Sequence, residues 1–288
     1  MDRLLVLTAS AGVPDALAEA AAAEIVARGG TAGPARRLAP GAVELPVAVA
    51  ADYAPSLPAA VDANLVPAQG REKRLLIADM DSTIIGVECI DELADFAGVK
   101  PQVAAITERA MRGELDFESA LRERVALLRG LPERVLQDCF DARVRLNPGA
   151  RVLVRTMAAR GAMTALISGG FTFFTARVAE AAGFARNQAN RLGVADGALT
   201  GMVAEPILGR AAKLAALQAL TAEAGLTPAA AVAVGDGAND LDMVRAAGLG
   251  VAYRAKPALA EAAGARLDHS DLTALLALQG IPATDWRD

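Results

Sequence analysis

At 288 residues the chain is long enough for a full core and two domains, and with 53% hydrophobic but only 3% aromatic residues alanine, leucine and valine must fill that core. The 34 acidic and 29 basic side chains leave a net charge of −5, with no Lys/Arg stripe interleaved with aromatics, which argues against nucleic acid as a partner. Cys89 and Cys139 make neither a metal-type cluster nor a disulfide framework, no charge-free run is long enough for a bilayer, and the apolar run Leu4–Leu7 is too short for a signal peptide, so a soluble, cytoplasmic protein away from membranes is expected.

Residues 4–8 read as a strand, and Pro14 to Arg28 as a helix stopped by Gly29-Gly30. Two short β-like runs flank the turn pair Pro40-Gly41, and Ser56 to Asn64 reads as a second helix with Ser56 as its N-cap. This order predicts a small α+β module over 1–70, either binding an amino acid or serving as a structural or dimerising appendage that makes the protein a homodimer. Glycine and charge interrupt the pattern at Pro67 to Lys73, which predicts a linker crossed by few contacts and a unit complete from 71 to 288.

Leu75-Leu76-Ile77-Ala78 is an unbroken apolar run, the mark of a strand buried on both faces. After it, residues 86–148 are predicted helical: Glu88 to Phe96, Pro101 to Met111, Asp116 to Leu128 and Pro132 to Phe140, each with one apolar face. Helices inserted there form a cap over the strand's carboxyl end. Asn147-Pro148 opens a helix to Arg160, Met163 to Ile167 is a strand, and Phe171 to Ala182 a helix. Asp196-Gly197 signals a type I′ hairpin within 190–203. Helix Ala211–Ala224, strand Ala230–Val234, helix Asn239–Ala247, strand Leu249–Ala252 and helical runs at Pro257–Ala263 and Asp271–Gln279 follow. The alternation predicts an α/β protein: a three-layer, parallel-sheet, Rossmann-like core with an inserted helical cap and a small N-terminal α+β module.

The chemistry gathers at strand ends. Asp79-Met80-Asp81-Ser82-Thr83 follows the first core strand at once, in the crevice where open α/β sheets bind ligands. Residues two apart in extended chain point the same way, so Asp79 and Asp81 aim at one site, where a hard divalent cation such as Mg²⁺ would relieve their repulsion. Ser168-Gly169-Gly170 ends the second strand, Lys213 stands alone in an Ala/Leu-rich helix, and Gly235-Asp236-Gly237-Ala238-Asn239-Asp240 ends a third strand.

This ordered set resembles the four motifs of the haloacid dehalogenase-like phosphohydrolases, and the longer strings, with Glu88, resemble the branch acting on phosphoserine. The resemblance runs from about residue 74 to about residue 275 and leaves out the first seventy. It implies that Asp79 attacks phosphorus to form an aspartyl-phosphate and that Asp81 protonates the departing alkoxide and then activates water. Mg²⁺ would be held by the Asp79 side chain, the Asp81 backbone carbonyl and Asp236, with Asp240 as outer support. Ser168, the N–H groups of Gly169 and Gly170, and Lys213 would meet the phosphate, with Asn239 near the scissile oxygen.

In the cap, the resemblance assigns Glu88 to a substrate ammonium, Arg124 to its carboxylate and the apolar Met111 and Phe117 to closing over the site. It implies hydrolysis of O-phospho-L-serine to L-serine and phosphate, the last step of serine biosynthesis. The alternatives are a phosphatase or phosphotransferase of the same fold for another small phosphorylated metabolite, or an amino-acid-sensing regulatory protein. Intact Asp79, Asp81, Lys213 and Asp236 argue against pure sensing, which needs no nucleophile. His269, the single histidine, lies outside every motif and reads as structural or surface.

Overall fold

A computed structural model describes the chain except Met1, Ala51, Asp52, Ala54, Gly113 and the Met111 side chain. The first seventy residues form β1 (Arg3–Thr8), α1 (Asp15–Ala27), β2 (Thr31–Ala32), β3 (Arg36–Ala39), β4 (Ala42–Ala48) and β5 (Asp62–Pro67). β1 lies between β4 and β5 in an antiparallel sheet, with β2 and β3 both pairing with β4.

β5 corrects the helix expected over Ser56–Asn64. Residues 55–58 carry no regular structure, with prolines at 55 and 58 that lack the amide a helix needs. The strand then buries Asp62, Asn64 and Val66 on one face while Ala63 and Leu65 pack against the α1 side. Two polar residues at core-facing positions hide the strand alternation from a hydrophobicity pattern.

The second sheet is wholly parallel: β6 (Leu75–Ala78), β7 (Met163–Phe171), β8 (Arg186–Asn190), β11 (Ala231–Gly235), β12 (Leu249–Tyr253) and β13 (Ala265–Leu267), in spatial order β13-β12-β11-β6-β7-β8. Leu76 and Ala78 face one core cluster and Leu75 and Ile77 the other. Burial on both faces is why the run is uninterrupted, and each leucine or isoleucine there contributes roughly 1.5–3 kcal/mol. β8, with the sequence Arg-Asn-Gln-Ala-Asn, and the three-residue β13 are edge strands that the apolar pattern did not reveal. Helices α6 (Ala150–Ala159), α7 (Thr172–Ala182), α8 (Arg210–Glu223), α9 (Leu241–Ala246), α10 (Pro257–Ala260) and α11 (Ala274–Leu278) cover the sheet. The chain winds outward from β6 in both directions, so β6 and β11 flank the topological switch point, where such sheets bind ligands.

Between β6 and α6 stand four cap helices, α2 (Cys89–Phe96), α3 (Lys100–Met111), α4 (Phe117–Ala126) and α5 (Arg134–Arg143). The hairpin β9 (Leu192–Ala195) and β10 (Ala198–Val203) turns through Asp196 and Gly197, both at positive φ, and β10 packs on α4. That is the type I′ geometry expected from Asp-Gly.

The expectation of few contacts across Pro67–Lys73 is overturned. Leu4, Val6, Leu38, Ala42 and Val66 join the same core cluster as Leu275 and Leu278 of α11. The Asn64 amide bonds both the carbonyl and the N–H of Arg266, at 2.9 and 2.7 Å, joining the edge of one sheet to the edge of the other. Buried Glu44 pairs with Arg71, and the Lys73 N–H donates to Gln279 Oε1 at 3.0 Å. A face of the small sheet serves as part of the larger core.

Candidate functional site

The carboxyl ends of β6, β7 and β11 bring the three strand-end motifs together. Asp79 continues the β6 ladder, its N–H donating to the Val234 carbonyl at 3.0 Å, and its carboxylate is buried. Lys213, fully buried on α8, donates to Asp240 Oδ1 at 2.6 Å and lies 2.7 Å from Asp79 Oδ1. Burial by itself would lower the Lys213 ammonium, but the two carboxylates override it and hold the charge above the ordinary lysine value. One ammonium cannot neutralise both. Burial, and after it the Asp240 charge, therefore push the Asp79 carboxyl well above the usual range.

Asp236 completes an acidic group. Ligand oxygens of Asp79, Asp236 and Asp240 lie within 4.8 Å of one another. Burial raises Asp236 to about 6, against the pull of Lys256, whose Nζ is 3.4 Å from Asp236 Oδ2. Asp240 already accepts from Lys213 through Oδ1 and from the Gly237 N–H through Oδ2 at 3.1 Å, so Asp79 and Asp236 have the more available oxygens. A set of oxygen donors whose charges exceed the protein's own cations fits a hard divalent ion. Gly235 is required for this packing, because a β-carbon there would collide with the Asp240 carboxylate.

Asp81 is half-buried, with Oδ2 in the space that a side chain at Gly170 would fill, 2.8 Å away. Its carboxyl is pushed up to about 7 by burial and then by Glu88. The neighbouring carboxylate responsible is thus Glu88, where the D-x-D spacing had suggested Asp79. Ser168 is buried, and its Oγ accepts from the Gly170 N–H at 2.9 Å. β7 extends through the whole Ser-Gly-Gly string, so the Gly170 N–H is committed to Ser168 and is not an orphan donor at a helix terminus. Asn239 is half-buried over the Gly237 turn, where any larger residue would strike its carboxamide.

The cap brings three of the expected residues to this crevice. The Phe117 ring lies against Gly169 and Gly209, 3.0 and 3.1 Å from where β-carbons would stand. Glu88, at the start of α2, accepts from the Ser82 hydroxyl at 2.7 Å. Arg124, half-buried on α4, donates Nε to the Ala120 carbonyl at 3.2 Å. Burial lowers its guanidinium, with Asp91 and Glu88 acting in the opposite direction. The Met111 side chain lies outside the described residues.

Three residues escaped the sequence reading. Asn190 ties the Gly169 carbonyl to both the carbonyl and the N–H of Leu208, aligning the second motif with the approach to α8. Lys256 donates its backbone N–H to the Asp236 carbonyl at 2.8 Å besides placing its ammonium beside that carboxylate. Ser82 holds Glu88. No motif marks the first two, whereas Ser82 sits inside the first motif, which gives it no role of its own.

A family model for haloacid dehalogenase-like hydrolases matches residues 76–245, over half of the chain. The phosphoserine phosphatase of Archaeoglobus fulgidus is 43% identical over 213 residues, 74% of this chain and 62% of that protein. The phosphoserine phosphatase of Streptomyces coelicolor is 48% identical over 211 residues, 73% of this chain and 51% of that protein. The matched part of the chain thus spans between half and two thirds of these relatives. The crystal structure of a haloacid dehalogenase family hydrolase from Salmonella enterica serovar Typhi superposes with a TM-score of 0.83 at 28% identity, covering 96% of this chain and 98% of that one. That superposition includes the N-terminal sheet as well as the core and cap. By sequence and by fold alike, the chain belongs to the haloacid dehalogenase-like hydrolase family.

Proposed function

We propose that the chain is a Mg²⁺-dependent phosphoserine phosphatase that releases L-serine and phosphate, the closing step of serine synthesis in the cytoplasm. The observation that carries this reading is one crevice holding Asp79, Asp81, Lys213 and Asp236 under a cap that presents Glu88 and Arg124. The two phosphoserine phosphatases 43% and 48% identical to it support the same substrate.

In this reading an Asp79 oxygen forms a bond to phosphorus as the bond from phosphorus to the seryl oxygen breaks. The Asp81 carboxyl gives its proton to the departing alkoxide, and a carboxyl raised to about 7 can hold that proton near neutral pH. Asp81, now ionised, takes a proton from water, whose oxygen attacks phosphorus and releases Asp79 and phosphate. Ser168 and Lys213 bind the phosphoryl oxygens, and Asn239 adds a polar contact near the scissile oxygen. The Asp79 and Asp236 carboxylates with the Asp81 carbonyl would hold Mg²⁺, Asp240 supporting them, and the ion supplies charge neutralisation. Glu88 receives the substrate ammonium and Arg124 its carboxylate, while Phe117 excludes water from above.

Asp79→Asn is expected to abolish phosphate release from phosphoserine while the circular dichroism spectrum stays native. Full turnover in that variant, with deamidation excluded by mass spectrometry, would remove the nucleophile assignment. Arg124→Ala is expected to cost about 2–5 kcal/mol in kcat/KM on phosphoserine, because the substrate carboxylate is left buried without its partner. A small aryl phosphate should be far less affected, and an equal loss on both would make Arg124 a support of the cap.

A further inference from the structure

The chain turns sharply between Asp81 and the cap at Ser82, a residue with a β-carbon held at φ 55°. That left-handed backbone favours glycine, and serine persists there only when its surroundings hold it. The Ser82 N–H donates to the Val87 carbonyl at 3.3 Å, and its hydroxyl to Glu88 Oε1 at 2.7 Å. Glu88 occupies the N-cap position of α2, yet its carboxylate makes no capping bond to that helix. Among the described residues the Ser82 hydroxyl is its one hydrogen-bond donor, and no Lys or Arg forms an ion pair with it.

Arg124 and Lys256 feel the Glu88 charge without forming an ion pair with it, so this half-buried carboxylate with one oxygen fixed is a seat for a small cationic group carried by a ligand. A primary ammonium, with three donors on one atom, fits the oxygen that Ser82 leaves open. Glu88 is also close to the reacting centre, since after burial itself its charge helps raise the carboxyl of Asp81.

We propose that Ser82 is the positioning residue for ammonium recognition: its hydroxyl pins Glu88 Oε1 so that the other oxygen faces the amino group of an amino-acid phosphomonoester. The left-handed turn is kept because it brings a hydroxyl to that carboxylate. This inference rests on the phosphoserine reading above and adds to it how the substrate's amino group is read.

The test measures kcat and KM on O-phosphoserine and on 3-phosphooxypropionate, the same molecule without the ammonium, for wild type, Ser82→Ala and Ser82→Gly. Both variants lose the hydroxyl, but glycine suits the positive φ and keeps the turn without strain. Both are expected to raise KM for phosphoserine on the order of tenfold, with kcat nearly unchanged and the deamino substrate unaffected. A wild-type KM in Ser82→Gly would show that the backbone turn matters and the hydroxyl does not, which overturns the proposal. Equal losses on both substrates would also overturn it, by making Ser82 a general support of the loop. Wild-type protein with no preference for the ammonium-bearing substrate would overturn the reading of Glu88 underneath, whereas a preference left intact in both variants removes the role of Ser82 alone.

Discussion

Asp62 and Asp79 each bury a carboxylate, one at the seam between the N-terminal sheet and the core, the other at the end of β6. Each also stands in a trio whose ligand atoms lie within 4.8 Å of one another: Asp62 with Asp268 and His269, Asp79 with Asp236 and Asp240. Their surroundings differ in kind. Asp62 Oδ1 accepts from the N–H groups of Asp268 and His269, and Oδ2 from those of His269 and Ser270 and from the Ser270 hydroxyl, at 2.7 to 3.2 Å. Backbone amides have filled both oxygens, so this carboxylate joins two sheets and has no lone pairs left for a metal. Asp79 instead shares one ammonium with Asp240, and an Asp236 oxygen belongs to the same group of ligand atoms within 4.8 Å of one another. A buried carboxylate satisfied by fixed donors is architecture, whereas carboxylates that outnumber their cations are arranged for a ligand that brings positive charge.

The largest expected effect separates the two sites by removing one of them. A protein beginning at Arg71 keeps every motif, but it strips the cover from the α11 side of the core and leaves the amides of 268–270 without Asp62. It is therefore expected to be insoluble or to unfold well below the full-length protein in a thermal melt. A soluble, fully active truncation would show that the seam is dispensable and that the composition break at Pro67–Lys73 was the better guide.

Lys213→Met removes the ammonium from between two buried carboxylates and is expected to cost about 3–5 kcal/mol of stability as well as turnover. Added Mg²⁺ should restore part of the stability and none of the turnover. Denaturant melts with and without the ion check this, and an unchanged midpoint without Mg²⁺ would mean that the cluster is not short of positive charge.

Asp62→Ala orphans the buried N–H and hydroxyl of Ser270 and the less buried N–H groups of Asp268 and His269, and should destabilise by about 3 kcal/mol in a urea melt. Its kcat/KM per folded molecule should remain that of the wild type, since none of the residues around Asp79 touches it. A selective loss of turnover would tie the seam to the chemistry and erase the contrast.

The smallest effect is ligand-linked. Mg²⁺ at 100 times its Kd should stabilise the wild type by about 2.7 kcal/mol. That gain should persist in Asp62→Ala and vanish in Asp236→Asn, read as Tm shifts in scanning calorimetry. Persistence in Asp236→Asn would move the ion away from the β11 end of the sheet.

Legibility in the sequence followed the same division. The strand-end motifs could be read because charged and polar residues directly follow unbroken apolar strands, so Asp79, Asp81, Ser168 and Asp236, and the lone Lys213 in its Ala/Leu-rich helix, stood out against their neighbours. The cap helices were read from their one-sided apolar spacing and the 192–203 hairpin from its Asp-Gly turn. β5 was misread because its core-facing residues are polar, and their partners lie about 200 residues away in the chain.

The parallel core, the capped site at its switch point and the family were thus legible in local patterns: unbroken apolar strands, one-sided helices and the strand-end motifs. Folding made the N-terminal sheet a wall of the core, spent the Gly170 N–H on Ser168 and brought Ser82 to Glu88. Those facts depend on which buried donor finds which acceptor across the folded chain. Two buried aspartates become a seam or a proposed catalytic centre according to what folding places within 3 Å of their oxygens.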